Sequence, residues 1–590
     1  MHLQRVKLPL FRNLKDFEIT FTESVEDLNV EGGQRTFNSH AVIGTNGAGK
    51  SNLIEAVIII FRDLDLNQIA SFDYEMDYSI RGHQIKLTAL YGKRPTVTID
   101  DKRVSAKQLS DEAREYLPSN VFVYYSGKND RIEQLFKAHQ RRFNERMEIS
   151  AEEYLPESLL QDFTGQEEQA EAIAEHKRRA DRRREQLGED QLRRLFYCRG
   201  GHSQLVLLAC LLSKDEMFTQ LLKDLNIEEL DSALFVLKQP YRLRQPKEKD
   251  ILEGDKRFWY ARGTVVSEFL DKLWQLAIAP IDDNPDKQID FRGRTEKQKQ
   301  LYLFLPDKEK LKELGELVGE ADRFFRYAEA AYIGDLIEEV RINFKLKDAG
   351  GNINFSQLSE GELQLLTVLG LMRITKMDHC LFLLDEPDTH LNPIWKLRYF
   401  EEIEKVVLRN EGEILAGDSQ IIITTHDPLM IGSLRLEQVR ILRKERGQST
   451  VETPIEHPQG MGVAGLLKSE MFGLPSTLDR PTLRKLEERN NLLARKAKEG
   501  LSQVEQEKLT RLSDHLDDLG FSREYRDPLY QLFIQKMYEV RSQPLSRLLT
   551  KEELQEQDAL AQEIIKELVK RERTGNLSEL AQELKLRLES

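Results

Sequence analysis

Apolar and polar residues alternate from the first positions of the chain. Val6 and Leu8 flank Lys7, and Phe17, Ile19 and Phe21 are separated by Glu18 and Thr20. A period of two predicts strands, with a turn at Arg12 and Asn13 between them. A further apolar run from His40 to Ile43 predicts a strand that leads straight into a glycine-rich segment. Residues 52–63 then carry apolar positions at helical spacing. Strand signals return at 85–91, 96–99 and 121–125. From about Arg131 the pattern becomes helical and strongly charged, and residues 203–212 read as an apolar helix.

Beyond about Leu466 the pattern is helical throughout. Leu509, Leu512, Leu516 and Leu519 fall on one helix face, and the turn at Glu499 and Gly500 predicts a hairpin with residues 481–498. Leu554, Ala561, Ile564 and Leu568 repeat the pattern until Gly575 and Asn576 interrupt it. Such stripes bury themselves either against their own domain or against a partner chain, and both readings stand.

Composition narrows the class. At 590 residues the chain exceeds one compact core, and 32% charged residues favour solvated helices over a β-rich fold. The net charge of −14 argues against a surface that is basic overall, while leaving room for a local basic patch. The most basic stretch is 176–184, which reads either as a solvated helix face or as a contact for nucleic-acid phosphates. Cys198, Cys210 and Cys380 form no CxxC pair, so neither a disulfide scaffold nor a zinc site is expected. No apolar run reaches the roughly 20 residues of a membrane helix, and no signal-peptide core is evident. The expectation is a cytoplasmic protein with no membrane partner.

The chemistry begins at Gly44, Thr45, Asn46, Gly47, Ala48, Gly49, Lys50 and Ser51, which match GxxxxGK[ST] between a strand and a helix. Glycines let the backbone turn its N–H groups toward phosphates, and the helix behind adds its dipole. Lys50 is expected on the β- and γ-phosphates of ATP and Ser51 on Mg²⁺. The second element is an apolar run from Cys380 to Leu384 that ends in Asp385 and Glu386, as a buried parallel strand would. Asp385 is the expected Mg²⁺ carboxylate and Glu386 the base for the attacking water.

Two further elements frame these. Leu358, Ser359, Glu360, Gly361 and Glu362 precede the acidic strand and open a helix. A capping box alone accounts for Ser359 and Glu362, but the placement between a phosphate loop and a carboxylate strand suggests more. The apolar run 420–425 ends in His426, and the intervening helix 393–409 predicts that His426 stands beside Glu386 at the sheet's carboxyl edge.

In this order the four elements resemble Walker A, the signature, Walker B and the switch histidine of ABC-type ATPases. The resemblance implies an α/β ATPase head: a mixed sheet with flanking helices, a large helical insertion and a helical C-terminal extension. It also implies a homodimer or higher even oligomer, in which Ser359, Glu360, Gly361 and Glu362 act in trans on the ATP of a second copy. Residues 388–393 would then occupy the dimer-contact loop. The class's Q-loop glutamine has no counterpart, since residues 121–127 contain no Gln. The expected divisions are 1–130 and 331–465 for the two ATPase lobes, 131–330 for a mainly helical insertion and 466–590 for the extension.

Phe11 to Ile19 and Asp385 to Pro393 are similar to the RecF/SMC/OLD branch. Within it, residues 123–127, 195–204 and 471–479 resemble the PtuA-type ATPases of Septu and retron-associated antiphage systems. That resemblance implies a separate HNH nuclease partner of the PtuB type and, in retrons, a reverse transcriptase with its reverse-transcribed DNA. After His426 the sequence holds no Asp-x-Asp pair and only His457 and His515, so no nuclease site is expected in this chain. The competing readings are a RecF-like repair ATPase that binds DNA and a scaffold gated by ATP without hydrolysis.

Overall fold

The computed structural model describes residues 1–26, 34–105, 108–109, 112–127, 130–141, 194–288, 293–347, 352–375, 378–407, 419–445, 448–474 and 476–519, and near the end residues 533, 555–556, 559–566 and 570. The basic run 176–184 and two of the four late stripe positions, Leu554 and Leu568, lie outside them. Two compact units divide the chain, Met1–Thr453 and Pro454–Ser590.

The first unit is built on three sheets. Strands β1 (His2–Phe11) and β2 (Leu14–Thr20) form an antiparallel hairpin that bears out the alternation in the sequence. After the short pair β3 (Ser24–Glu26) and β4 (Gln34–Thr36) comes β5 (Ser39–Gly44), then helix α1 (Lys50–Asp65). Strands β6 (Tyr74–Ile80), β7 (His83–Ala89), β8 (Thr96–Ile99) and β9 (Lys102–Val104) complete a six-stranded antiparallel sheet in the order β2-β1-β6-β7-β8-β9. Strands β10 (Val121–Tyr125) and β11 (Leu195–Tyr197) belong to the central sheet, followed by helix α2 (His202–Leu212).

The next stretch differs from expectation. Helix α3 (Glu216–Asp224) leads into β12 (Ile227–Lys238), a twelve-residue strand, and β13 (Ile278–Asp283) and β16 (Gln300–Leu305) join it. A small ribbon of β14 (Asp286–Gln288) and β15 (Thr295–Lys297) stands between them. Helices α4 (Lys308–Val318) and α5 (Glu320–Ile333) follow, then β17 (Ile337–Leu346) and β18 (Asn352–Asn354). These strands make a five-stranded antiparallel sheet, β13-β16-β12-β17-β18. The insertion therefore carries a sheet as well as helices, and that sheet runs across the division expected at residue 330. Its longest strand eludes a period-two reading because the β12–β17 register shifts three times, between Ile227 and Glu229, Leu230 and Ser232, and Val236 and Leu237.

Helix α6 (Glu360–Ile374), β19 (Leu381–Asp385), α7 (Pro393–Val407), β20 (Gln420–Thr425), β21 (Val439–Glu445) and β22 (Gln448–Glu452) complete the unit. The central sheet has the order β11-β10-β19-β20-β5-β21-β22, parallel except at the β22 edge. Every residue of β19 and β20 is buried, which explains their unbroken apolar runs. Helix α1 is apolar on nearly every side because one core joins it to both large sheets, through Leu3, Val6, Met76, Ile85, Leu383 and Ile422. On the other face Phe122 lies against Phe196 and Phe382. In the second unit α8 (Arg480–Glu499) and α9 (Gln503–Asp518) form the expected hairpin, tied by Lys508 with Glu488 and Arg495 with Glu505. Among the described residues no helix is long and apolar enough to cross a membrane.

Candidate nucleotide and hydrolysis site

Parallel strands bring their carboxyl ends to one edge, and the motif residues collect there. The loop after β5 turns sharply: Gly47 has φ 79° and Gly49 φ 111°. The side of Gly47 where a Cβ would stand is open, whereas a Cβ on Gly49 would meet the Leu14 side chain at 2.5 Å. One glycine thus keeps a concave backbone clear and the other permits close packing beneath it. Thr45, Asn46 and Gly47 are exposed, while Ala48, Gly49 and Lys50 are buried.

Lys50 starts α1, and its Nζ donates to the Gly44 carbonyl at 2.8 Å. It lies 4.0 Å from the Glu386 carboxylate. Burial lowers its pKa, and the facing carboxylates of Glu386, Asp385 and Asp388 oppose that shift. Asp385 is buried, which raises its pKa, while the hydroxyls of Ser51 and Thr424 donate to it and favour the ionised form. Glu386 adopts φ 49°, a left-handed conformation that costs a non-glycine residue about 1–3 kcal/mol. Its N–H donates to the Thr424 carbonyl at 3.0 Å, and the Thr389 hydroxyl donates to its carbonyl at 2.8 Å. His426 Nδ1 stands 3.3 Å from the Glu386 carboxylate. Lys50, Ser51, Asp385, Glu386 and His426 are therefore brought together.

The segment from Ser359 to Glu362 sits elsewhere. Ser359 caps α6 and forms a full capping box with Glu362. Glu360 pairs with His390 at 3.0 Å, and a Cβ on Gly361 would lie 2.5 Å from the His390 carbonyl oxygen. Gln364 donates to the Pro387 carbonyl. The helix start is thus clamped to the loop that leaves the acidic strand of its own chain. The segment that lacks a Q-loop glutamine ends with the Ser126 N–H donating to the Asp385 carbonyl at 3.3 Å.

Four residues that the motifs do not mark also shape the site. The Asn13 amide donates to the Gly47 carbonyl at 3.0 Å and accepts from Asn52, and the Ser449 hydroxyl donates to the Ala48 carbonyl at 2.7 Å. Thr424 and Gln364 act as described above. The Asp63 and Asp65 pair belongs to the end of α1, where Arg194 and His139 hold Asp65. Among the described residues no group of three or more His, Cys, Asp or Glu side chains could hold a metal by itself. The Ser51–Asp385 pair fits magnesium only as it fits in nucleotide sites, where phosphates complete the shell.

A family model described as "AAA ATPase domain" matches residues 1–198, and one described as "AAA domain, putative AbiEii toxin, Type IV TA system" matches residues 235–432. The glycine loop falls in the first match and the acidic strand with His426 in the second. The chain carries a P-loop ATPase fold. Solved structures similar to this chain include the SMC head domain from Thermotoga maritima, at 12% identity and TM-score 0.28, covering 77% of this chain and 99% of that one. The Smc head domain derived from Pyrococcus furiosus, with an extended coiled coil and bound to the C-terminal domain of ScpA, is 14% identical at TM-score 0.29 and covers 77% and 96%. The recombination mediator protein RecF with ATP is 14% identical at TM-score 0.26 and covers 72% and 93%. No curated protein sequence matches the chain.

Proposed function

We propose that this ATPase hydrolyses ATP at a composite site formed by two copies head to tail, and that its nucleotide state controls a separate HNH nuclease in antiphage defence. The observation that carries the hydrolytic part is the placement of Glu386 between Lys50 and His426, beside Asp385 with its Ser51 hydroxyl. Ser51 and Asp385 would hold magnesium, which when bound neutralises phosphate charge. Lys50 and the loop N–H groups bind the phosphates. Glu386 takes a proton from the attacking water as its oxygen bonds to the γ-phosphorus. The bond to the β–γ bridging oxygen breaks and its electron pair leaves with ADP. His426 holds the Glu386 carboxylate toward that water.

The dimer is supported by the clamp at Ser359 to Gln364, which presents a helix N-terminus without occupying the chain's own phosphate loop. Subunit mixing tests it. Lys50→Ala and Ser359→Arg should each be inactive alone, yet a mixture should regain phosphate release, because one of the two sites in a mixed dimer keeps both halves. A mixture as inactive as its parts would place the signature in cis.

The defence role is supported by the segments 123–127, 195–204 and 471–479. The first overlaps the end of β10, whose Tyr125 stands opposite Asp385, and the second contains β11, the neighbour of β10. Purification from the native operon should recover an HNH nuclease, with a reverse transcriptase and its DNA if the system is a retron. Recovery of the ATPase alone, with binding to gapped DNA, would instead mark a RecF-like repair protein. In either system, neutralising the arginines of 176–184 tests whether that run contacts nucleic acid, through weaker binding and a flatter salt dependence.

A further inference from the structure

Thr424 lies two residues before His426 on β20 and belongs to no phosphate, acid or signature motif. It is fully buried, and in the parallel register of β19 and β20 it stands opposite Asp385. Its hydroxyl donates to Asp385 Oδ1 and accepts from the Glu386 N–H at 3.2 Å. The same N–H reaches the Thr424 carbonyl at 3.0 Å. One residue therefore touches both acidic positions, the carboxylate of one and the backbone of the other.

We propose that Thr424 is a positioning residue for hydrolysis: its hydroxyl sets the Asp385 carboxylate against Ser51 and fixes the turn that aims Glu386 at the attacking water. A hydroxyl has one proton to give and lone pairs to accept with, so it serves both neighbours at once. Valine has the same shape but leaves Asp385 Oδ1 with one fewer donor in a buried setting. The left-handed turn at Glu386 then loses one of the two acceptors on its N–H. Both acids stay in place chemically, but their geometry loosens, and misplacement of a reacting group lowers turnover more than binding.

The proposal rests on the ATPase reading, and the test separates the two. Thr424→Val and Thr424→Ser are compared with wild type for kcat, KM, the Mg²⁺ dependence of binding of a fluorescent ATP analogue, and thermal unfolding. In Thr424→Val, kcat should fall about tenfold or more with KM within about threefold, and half-saturating Mg²⁺ should rise. Thr424→Ser should restore both to within about threefold of wild type, since it keeps the hydroxyl. Wild-type kcat and Mg²⁺ dependence in Thr424→Val would overturn the proposal. So would a Thr424→Ser variant as impaired as Thr424→Val, because the methyl packing would then be what matters. If Thr424→Val fails to fold, Thr424→Cys keeps the size with a weaker donor and takes its place in the comparison. If wild type releases no phosphate, the ATPase reading fails, while the Mg²⁺ titration still decides whether Thr424 orients Asp385.

Discussion

His426 Nδ1 lies 3.3 Å from the Glu386 carboxylate, although the two residues follow different strands and a helix separates them in sequence. The contact exists because β19 and β20 are parallel neighbours, so their carboxyl ends are level. It gives the two residues unequal roles. Glu386 can accept a proton from water, whereas His426 can act only through the carboxylate it holds or on the phosphate beyond it. Glu386→Gln should therefore bind ATP but release phosphate about 10²–10⁴-fold more slowly. His426→Ala should lose less. Phosphate release and equilibrium nucleotide binding measure both, and a Glu386→Gln rate equal to wild type would remove Glu386 from catalysis and favour the non-hydrolysing scaffold.

The clamp between α6 and the Pro387–His390 loop yields a stability prediction. A Cβ on Gly361 would lie 2.5 Å from the His390 carbonyl oxygen, closer than atoms pack. Gly361→Ala must push the helix start or the loop aside, at a cost of about 1–3 kcal/mol. Chemical denaturation reads the cost, and the displaced loop carries Glu386 at its root, so turnover should fall as well. Unchanged stability in Gly361→Ala would mean that the helix and loop do not pack this closely.

The dimer makes a demand on the surface beside that loop. Ile394 and Leu397, in the first turns of α7, are 65% and 51% exposed, directly after His390 and Pro393. Apolar side chains beside the loop that would meet a second copy gain by being covered. Ile394→Glu combined with Leu397→Glu should leave the monomer's melting temperature unchanged and should suppress dimerisation of the Glu386→Gln protein in ATP, as read by light scattering. A dimer of undiminished strength would exclude this strip from the interface.

Much of this was legible in the sequence, for identifiable reasons. The acidic run and the run ending in His426 are read locally because each is one strand whose two faces are both buried, and the glycine loop because its motif lies within eight consecutive residues. Strands β7 and β8 alternate throughout, β1 and β2 alternate over Val6–Leu8 and Phe17–Thr20, and β10 is another short apolar run, so all five were equally plain. The alternation in β6 is just as regular in the structure, with Tyr74, Met76, Tyr78 and Ile80 buried between Glu75, Asp77 and Ser79, but two of its four core positions are tyrosines rather than aliphatic residues, which makes it easy to pass over. The sheet around β12 is hidden by its bulges. Asn13, Thr424, Gln364 and Ser449 could not be read at all. Each acts through one polar group on a backbone atom or carboxylate distant in sequence, and only the tertiary fold brings them together: strand register for Thr424, helix and turn packing for Gln364 and Asn13.

At the opposite edge of the central sheet, His40 is buried and neutral. Its Nε2 donates to the Thr22 carbonyl at 2.9 Å, which leaves Nδ1 as an acceptor for Gln420 at 3.4 Å. Burial pushes its pKa down to about 3, helped by nearby His2 and Arg440, and burial likewise pushes His2 down to about 4. The unfolded chain binds these protons near pH 6.5 while the folded chain refuses them. The stability they contribute is thus complete above about pH 6.5 and is lost as the pH falls toward the folded values, by about tenfold in the folding constant per pH unit for each group. Denaturation at a series of pH values from 7 to 4.5 should show a steep acid limb. His40→Gln keeps a donor and an acceptor without the titration, so it should lower stability at pH 7 yet flatten the limb by about one proton. An unchanged slope would mean that His40 titrates in the folded protein as it does in the unfolded chain.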